Sequence, residues 1–241
     1  GVAHAETITT FHSARFMEHP GCANCILDGN PLHEEQLEIM AMLGGAQALN
    51  VVIDEARRIS MINFGEVVES HMAAVDHVRA YAEVGVPERF ATVVTSAAGY
   101  PLDKTYYQTV KGMVGPLDIL EPGGSLVVAS ACSEGMGSAE YVASQRRLIE
   151  AGAEQFLREI EAKSHASVDE WQTEMLLKPL RAGRVGLYTE GLSQEEFALT
   201  GVTPIASVAA AVAEAVAAAG DNRVAVIPEG PYVVPRYRPQ S

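Results

Sequence analysis

Positive charge is scarce in this chain. Its 241 residues carry 17 Lys and Arg against 31 Asp and Glu, a formal net charge of −14. A protein that neutralises nucleic-acid phosphates or docks on anionic lipid needs a basic face. The isolated pairs Arg57-Arg58 and Arg146-Arg147 do not make one, so neither nucleic acid nor membrane is expected as a partner. Long apolar runs are missing too. A membrane-spanning helix needs about 18 or more apolar residues, and the Ala/Val stretch over residues 208–219 is shorter and interrupted by Glu214. No signal peptide is visible at the start. Cysteine is limited to Cys22, Cys25 and Cys132; an odd, small number argues for a reducing compartment, and a cytoplasmic location is expected. There is no initiator Met, and Gly1 leads within a few residues into a helical pattern, as in a fragment or a processed product.

What is present reads as a folded α/β protein. Hydrophobic residues make up 48% and charged residues 20%, which argues against disorder. The length suits one large domain or two small ones. Residues 6–17 read as a helix ended by Pro20-Gly21, and residues 32–43 as a second, opened by Asn30-Pro31 and closed by Gly44-Gly45. Residues 49–54 and 58–64 suggest two strands, paired as a hairpin, before a helix over 66–83. From Gly85-Val86-Pro87 onward strands and helices alternate, with strands at 90–96, 125–130, 184–189 and 224–228. Such alternation predicts a mostly parallel sheet flanked by helices. In these sheets ligands bind beyond the carboxyl ends of the strands, which directs attention to the loops after Ser96, Ser130 and Thr189.

The first of these loops carries small residues, Ala97, Ala98 and Gly99, that allow close approach of a ligand to the backbone. Asp103 is a candidate helix cap. Lys104, Tyr107, Gln108 and Lys111 then share one helix face, either a solvated surface or a site offering a cation beside an amide. The second loop, Ser-Ala-Cys-Ser-Glu-Gly-Met-Gly over 130–137, reads either as an anion nest or as a tight turn. No Gly-x-Gly-x-x-Gly follows a strand, which weighs against a dinucleotide-dependent α/β enzyme. Cys22-x-x-Cys25 near His12, His19 and His33 leaves a non-catalytic metal-binding module open as an alternative, with incidental cysteines as the plainer reading. Trp171, the lone tryptophan, could be core or site.

Together these motifs resemble the nickel-dependent lactate racemase family: Gly-Tyr-Pro-Leu-Asp at 99–103, Tyr-Gln-x-x-Lys-Gly at 107–112, Pro-Gly-Gly at 122–124 and Cys-x-Glu-Gly-x-Gly at 132–137. Glu6-Thr-Ile with His12 resembles the segment around the family's nickel-binding His, and Trp171 lies where the family has a tryptophan near its cofactor. The resemblance implies a racemase or epimerase acting on a small 2-hydroxy acid by hydride transfer to a nickel-pincer nucleotide. It implies that Lys111, Gln108 and Tyr107 bind substrate, that Trp171 and Gly99 lie against the cofactor, and that His12 ligates the metal. It also implies two lobes, the first incomplete: residues 1–86 with 221–241 as the remainder of an N-terminal cofactor-binding domain, and residues 87–220 as a C-terminal domain. The family's cofactor-holding Lys, its two acid/base histidines and a carboxylate-binding Arg have no counterpart here, so no catalytic acid or base is expected in this chain. The fragment is expected to lack the cofactor and to be inactive without the missing N-terminal domain.

Overall fold

The computed structural model describes residues 4–239. The chain divides into two compact units, residues 1–18 with 85–241, and residues 19–84.

The larger unit begins with α1 (Ala5–Phe11) and α2 (Ala14–Met17), where one continuous helix was expected. The break falls at His12-Ser13. The Ile8 carbonyl accepts from the His12 backbone N–H at 3.0 Å and is also bonded by the His12 ring nitrogen Nδ1 at 2.8 Å. Ser13 is extended and starts the next turn.

The smaller unit holds α3 (Pro31–Met42), β1 (Gln47–Ile53), β2 (Ile59–Glu66) and α4 (Val67–Ala82). Asn30 caps α3 by accepting from the Leu32 N–H at 3.0 Å, with Pro31 in the first turn. β1 and β2 form the expected antiparallel hairpin. The Glu66 carboxylate caps α4, accepting from the N–H groups of Val68 and Glu69, and α4 lies against one face of the hairpin. Among the described residues of this unit only Ser70 is buried, so this lobe has no apolar core of its own.

Beyond β3 (Glu83–Val86), the larger unit continues with β4 (Phe90–Ser96), α5 (Tyr106–Val114), β5 (Leu120–Ala129), α6 (Ala139–Ala151), α7 (Ala153–Glu161), α8 (Glu170–Ala182), β6 (Arg184–Tyr188), α9 (Gln194–Phe197), β7 (Thr203–Pro204), α10 (Val208–Ala219), β8 (Val224–Ile227) and β9 (Val234–Tyr237). Five strands form one sheet in the order β7-β6-β5-β4-β8, parallel throughout. Val93, Leu126, Val128 and Leu187 are fully buried, as strands covered on both faces require. The core between sheet and helices includes Tyr106, Met113, Tyr141, Phe156 and Leu176.

β8 does not follow the expected grouping of residues 221–241 with the first lobe. It pairs in parallel with β4, Thr92 opposite Val224, because Val224 to Ile227 is an apolar run that completes the buried sheet. Residues 1–18 also belong to this larger unit. The chain builds outward from β4 through β5, β6 and β7, then returns to β4's other side with β8. β4 therefore stands at the switch in strand order, where α/β sheets form their ligand crevice.

Candidate functional site

The site grows from the way α5 leaves β4. A Cβ on Gly112 would stand 2.6 Å from the Ser96 carbonyl oxygen, so only glycine lets the helix pass this close to the strand end. Thr105 caps α5, accepting from the Gln108 N–H at 3.3 Å. Asp103, the expected cap, reaches elsewhere: its carboxylate accepts from the Ala131 N–H at 3.1 Å and its carbonyl from the Cys132 N–H at 2.8 Å. It pins the two loops together.

The loop over 130–137 supports α5 and offers no open anion nest. Its Gly135 and Met136 carbonyls accept from the Tyr106 and Tyr107 N–H groups at 2.9 and 3.0 Å. The Met136 N–H donates to the Glu196 carboxylate, which helps hold that group's pKa low, after the larger effect of Ser193. Lys104 pairs with Glu134. The tight-turn alternative therefore holds. Gly137 has its own reason: a Cβ there would lie 3.0 Å from Cβ of Tyr107, so the glycine makes room for the ring.

α8 supplies the second wall. Glu170, at its start, is buried and bonded to Arg147 at 2.5 Å and Lys163 at 2.6 Å. Burial works against its charge, but hydrogen bonds from Lys163 and Arg147 overcome that and leave its pKa lowered. Trp171 follows directly. Its ring lies 6.0 Å from that of Tyr107, edge to face, and 5.0 Å from that of His12. The terminal segment is tied to the same region. The Ala166 N–H donates to the Thr9 carbonyl at 2.8 Å, Lys178 to the Met17 carbonyl at 3.0 Å, and Arg181 grips both Glu18 oxygens.

Lys111 completes the cluster. Its Nζ stands 5.7 Å from the centre of the Tyr107 ring and 6.0 Å from that of Trp171, within cation–π range. Partial burial lowers its pKa. The chain has four lysines, and the other three are bonded, Lys104 to Glu134, Lys163 to Glu170 and Lys178 to Met17. Lys111 has no acid or hydrogen-bond partner among the described residues. Gln108, one turn earlier on α5, is half-buried. Burial, followed by the Asp169 carboxylate that accepts its hydrogen bond, pushes the Tyr107 hydroxyl up to about 12, so it stays a neutral donor. Beside it opens a cleft of about 460 Å³ lined by Thr105, Tyr107, Glu134, Gly137, Ser138 and Asp169.

His12 offers one ring nitrogen beside the Trp171 ring. Its Nδ1 bonds the Ile8 carbonyl, which can only accept, so Nε2 is the ring nitrogen not used in that bond. Among the described residues no group of three His, Cys, Asp or Glu is placed to hold a metal. The alternative of a metal module built from Cys22, Cys25 and nearby His is therefore not formed. One imidazole with aromatic rings beside it fits a metal that arrives with its other donors already supplied by an organic group. Gly99 lies in the β4–α5 loop at φ +70°, with open space where a side chain would be, and outside the ring cluster formed by Tyr107, Trp171, His12 and Lys111.

Sequence reasoning missed the residues flanking Trp171. Asp169 takes a left-handed backbone, φ 59°, and accepts from the Ser138 hydroxyl at 2.6 Å as well as from Tyr107. Gln172 is buried and donates to the Tyr107 carbonyl at 2.8 Å. Glu174 is buried with Oε1 unbonded among the described residues. The concentration of polar residues around a lone Trp was the available signal.

A parallel sheet with polar and aromatic groups gathered beyond its strand ends places the larger unit among the α/β enzyme folds. The particular family follows from comparison: residues 87–234 match the lactate racemase C-terminal domain, and the chain belongs to that family. It is 26% identical over 240 residues to the lactate racemase of Thermoanaerobacterium thermosaccharolyticum, covering 98% of this chain and 55% of that protein. With the lactate racemase of Lactiplantibacillus plantarum it shares 28% identity over 137 residues, 57% of this chain and 32% of the relative. The solved structure of the T. thermosaccharolyticum lactate racemase apoprotein superposes with a TM-score of 0.89 at 26% identity, over 98% of this chain and 57% of that one. A Thermotoga maritima protein shares the fold at a TM-score of 0.55 and 10% identity, over 87% of this chain and 54% of that one. The chain thus spans about half the length of the lactate racemase it matches from end to end.

Proposed function

We propose that this chain is the substrate-gripping portion of a racemase or epimerase that inverts the carbon of a small 2-hydroxy acid. The observation that carries this reading is Lys111: an unpaired ammonium in an acidic protein, held against two aromatic rings beyond the strand ends. A carboxylate is the natural partner for such a group, and in a site shielded from water the charge-assisted bond both holds and orients the acid. Gln108 can donate to or accept from the substrate beside it. Tyr107, held neutral and oriented by Asp169, donates a hydrogen bond to a substrate or cofactor oxygen.

The family resemblance supplies the cofactor. A nickel-pincer nucleotide, when bound, would accept the Cα hydrogen as hydride. His12 would offer Nε2 to the metal, Trp171 would pack beside the cofactor, and the open backbone at Gly99 would allow its close approach. Proton transfer at the substrate hydroxyl is assigned to histidines in the part of the racemase that this chain does not span. The chain alone is therefore inactive in this reading. Joining it to that part of a lactate racemase and loading the cofactor is expected to give racemisation of a 2-hydroxy acid. Robust turnover by the 241 residues alone would refute the assignment.

A further inference from the structure

The seven histidines fall into two groups. His4, His12, His19, His77 and His165 each use one ring nitrogen in a hydrogen bond, with the Glu6 N–H, the Ile8 carbonyl, the Gly21 N–H, the Ser60 hydroxyl and the Ser164 hydroxyl respectively. His33 and His71 use neither nitrogen among the described residues, and they are the two whose rings meet. Their centres lie 5.9 Å apart with the planes tilted by 36°. Both belong to the smaller unit. His33 is half-buried in the first turn of α3, and His71 is exposed in the second turn of α4. Two helices thus bring four unbonded imidazole nitrogens to one spot that a dissolved ion can reach. Ring packing alone allows this distance, but it leaves the nitrogens of both rings unused. A metal ion would use them. Imidazole nitrogens bind zinc at about 2.0–2.1 Å, so two rings sharing one ion have their centres about 5–6 Å apart. The observed pair already has that spacing.

We infer that His33 and His71 form a two-imidazole site for a late first-row divalent ion of the zinc, nickel or copper kind, and that the ion clips α3 to α4. Imidazole favours these ions, whereas magnesium and calcium prefer oxygen ligands. The net charge of −14 favours a cation in general. The element that gains is α3. It has no buried residue, and an ion bridging the two rings ties it to α4, which itself lies against the hairpin. No third His, Cys, Asp or Glu is placed to join the pair among the described residues, so the ion keeps positions for water or an incoming ligand. The site shares no residue with the cluster around Lys111, and it does not rest on the proposed function.

Histidine modification by diethyl pyrocarbonate, read residue by residue by mass spectrometry on the 241-residue chain, tests this. Zn(II) is the probe, Mg(II) the control ion, and the exposed His165 of the larger unit the reference. Zn(II) is expected to cut labelling of His33 and His71 several-fold and together, to leave His165 unchanged and to raise the thermal midpoint. Mg(II) is expected to do none of these. In His71→Gln the labelling of His33 should no longer respond to Zn(II), and in His33→Gln the same should hold for His71, with circular dichroism confirming that each variant is folded. Three results would overturn the inference: labelling of the pair indifferent to Zn(II) in the parent chain, protection of one histidine that persists when the other is replaced, or equal protection by Mg(II). None of these readouts depends on racemase activity.

Discussion

Glu174 gives the sharpest stability test, because it sits one turn beyond Trp171 on α8 and is the least comfortable charge in the larger unit. Only 1% of the residue is exposed. Burial first, then the nearby Glu18 and Glu170 carboxylates, raise its pKa from 4.5 to about 8, with Lys178 and Arg181 opposing. The folded state therefore keeps this carboxyl protonated while the unfolded chain ionises. Its stability contribution is intact below pH 4.5 and declines as pH rises toward 8, by up to about 1.4 kcal/mol per pH unit. Across the whole window the loss is about 2–5 kcal/mol, since bound water and relaxation soften the limit. Glu174→Gln keeps the shape and removes the charge. Urea denaturation at intervals from pH 5 to pH 9 should show the variant gaining on the parent steadily up to pH 8, then holding level. Parallel stability curves for the two proteins would refute a buried, protonated Glu174.

Three further outcomes are expected. Gly112→Ala places a methyl against the Ser96 carbonyl, so the denaturation midpoint should fall by an amount worth about 1–3 kcal/mol. Glu170→Ala removes the carboxylate that Arg147 and Lys163 share, costing about 1–3 kcal/mol at neutral pH; because that group's pKa is lowered, the cost should shrink as pH falls below 4.5. The emission of Trp171, the only tryptophan, should change in His12→Ala, because the His12 ring lies 5.0 Å away; an unchanged fluorescence spectrum would refute that contact.

Much of this was legible in sequence because it is local. Strand–helix alternation predicted the parallel sheet, and Asn30-Pro31 marked the start of α3. The face carrying Tyr107, Gln108 and Lys111 followed from helical spacing, since the α5 backbone obeys it. What sequence did not reveal is long-range. The Asp103 carboxylate meets Ala131 across two loops, an attraction no helix-capping rule anticipates. β8 joins β4 across more than 120 residues of chain, so its apolar run could not declare which lobe it completes. Asp169 and Gln172 became visible only when α8 packed beside α5 and brought them to Tyr107.

The central claim is that Lys111 grips a carboxylate, and it is tested most directly in an assembled racemase, this chain joined to the part of a lactate racemase that it does not span and loaded with cofactor. Lys111→Met keeps the stem and removes the charge. Loss of one charge-assisted hydrogen bond predicts a fall of about 10- to 100-fold in kcat/KM for the 2-hydroxy acid, with the thermal midpoint unchanged. Unchanged kcat/KM in a folded Lys111→Met protein would contradict the account.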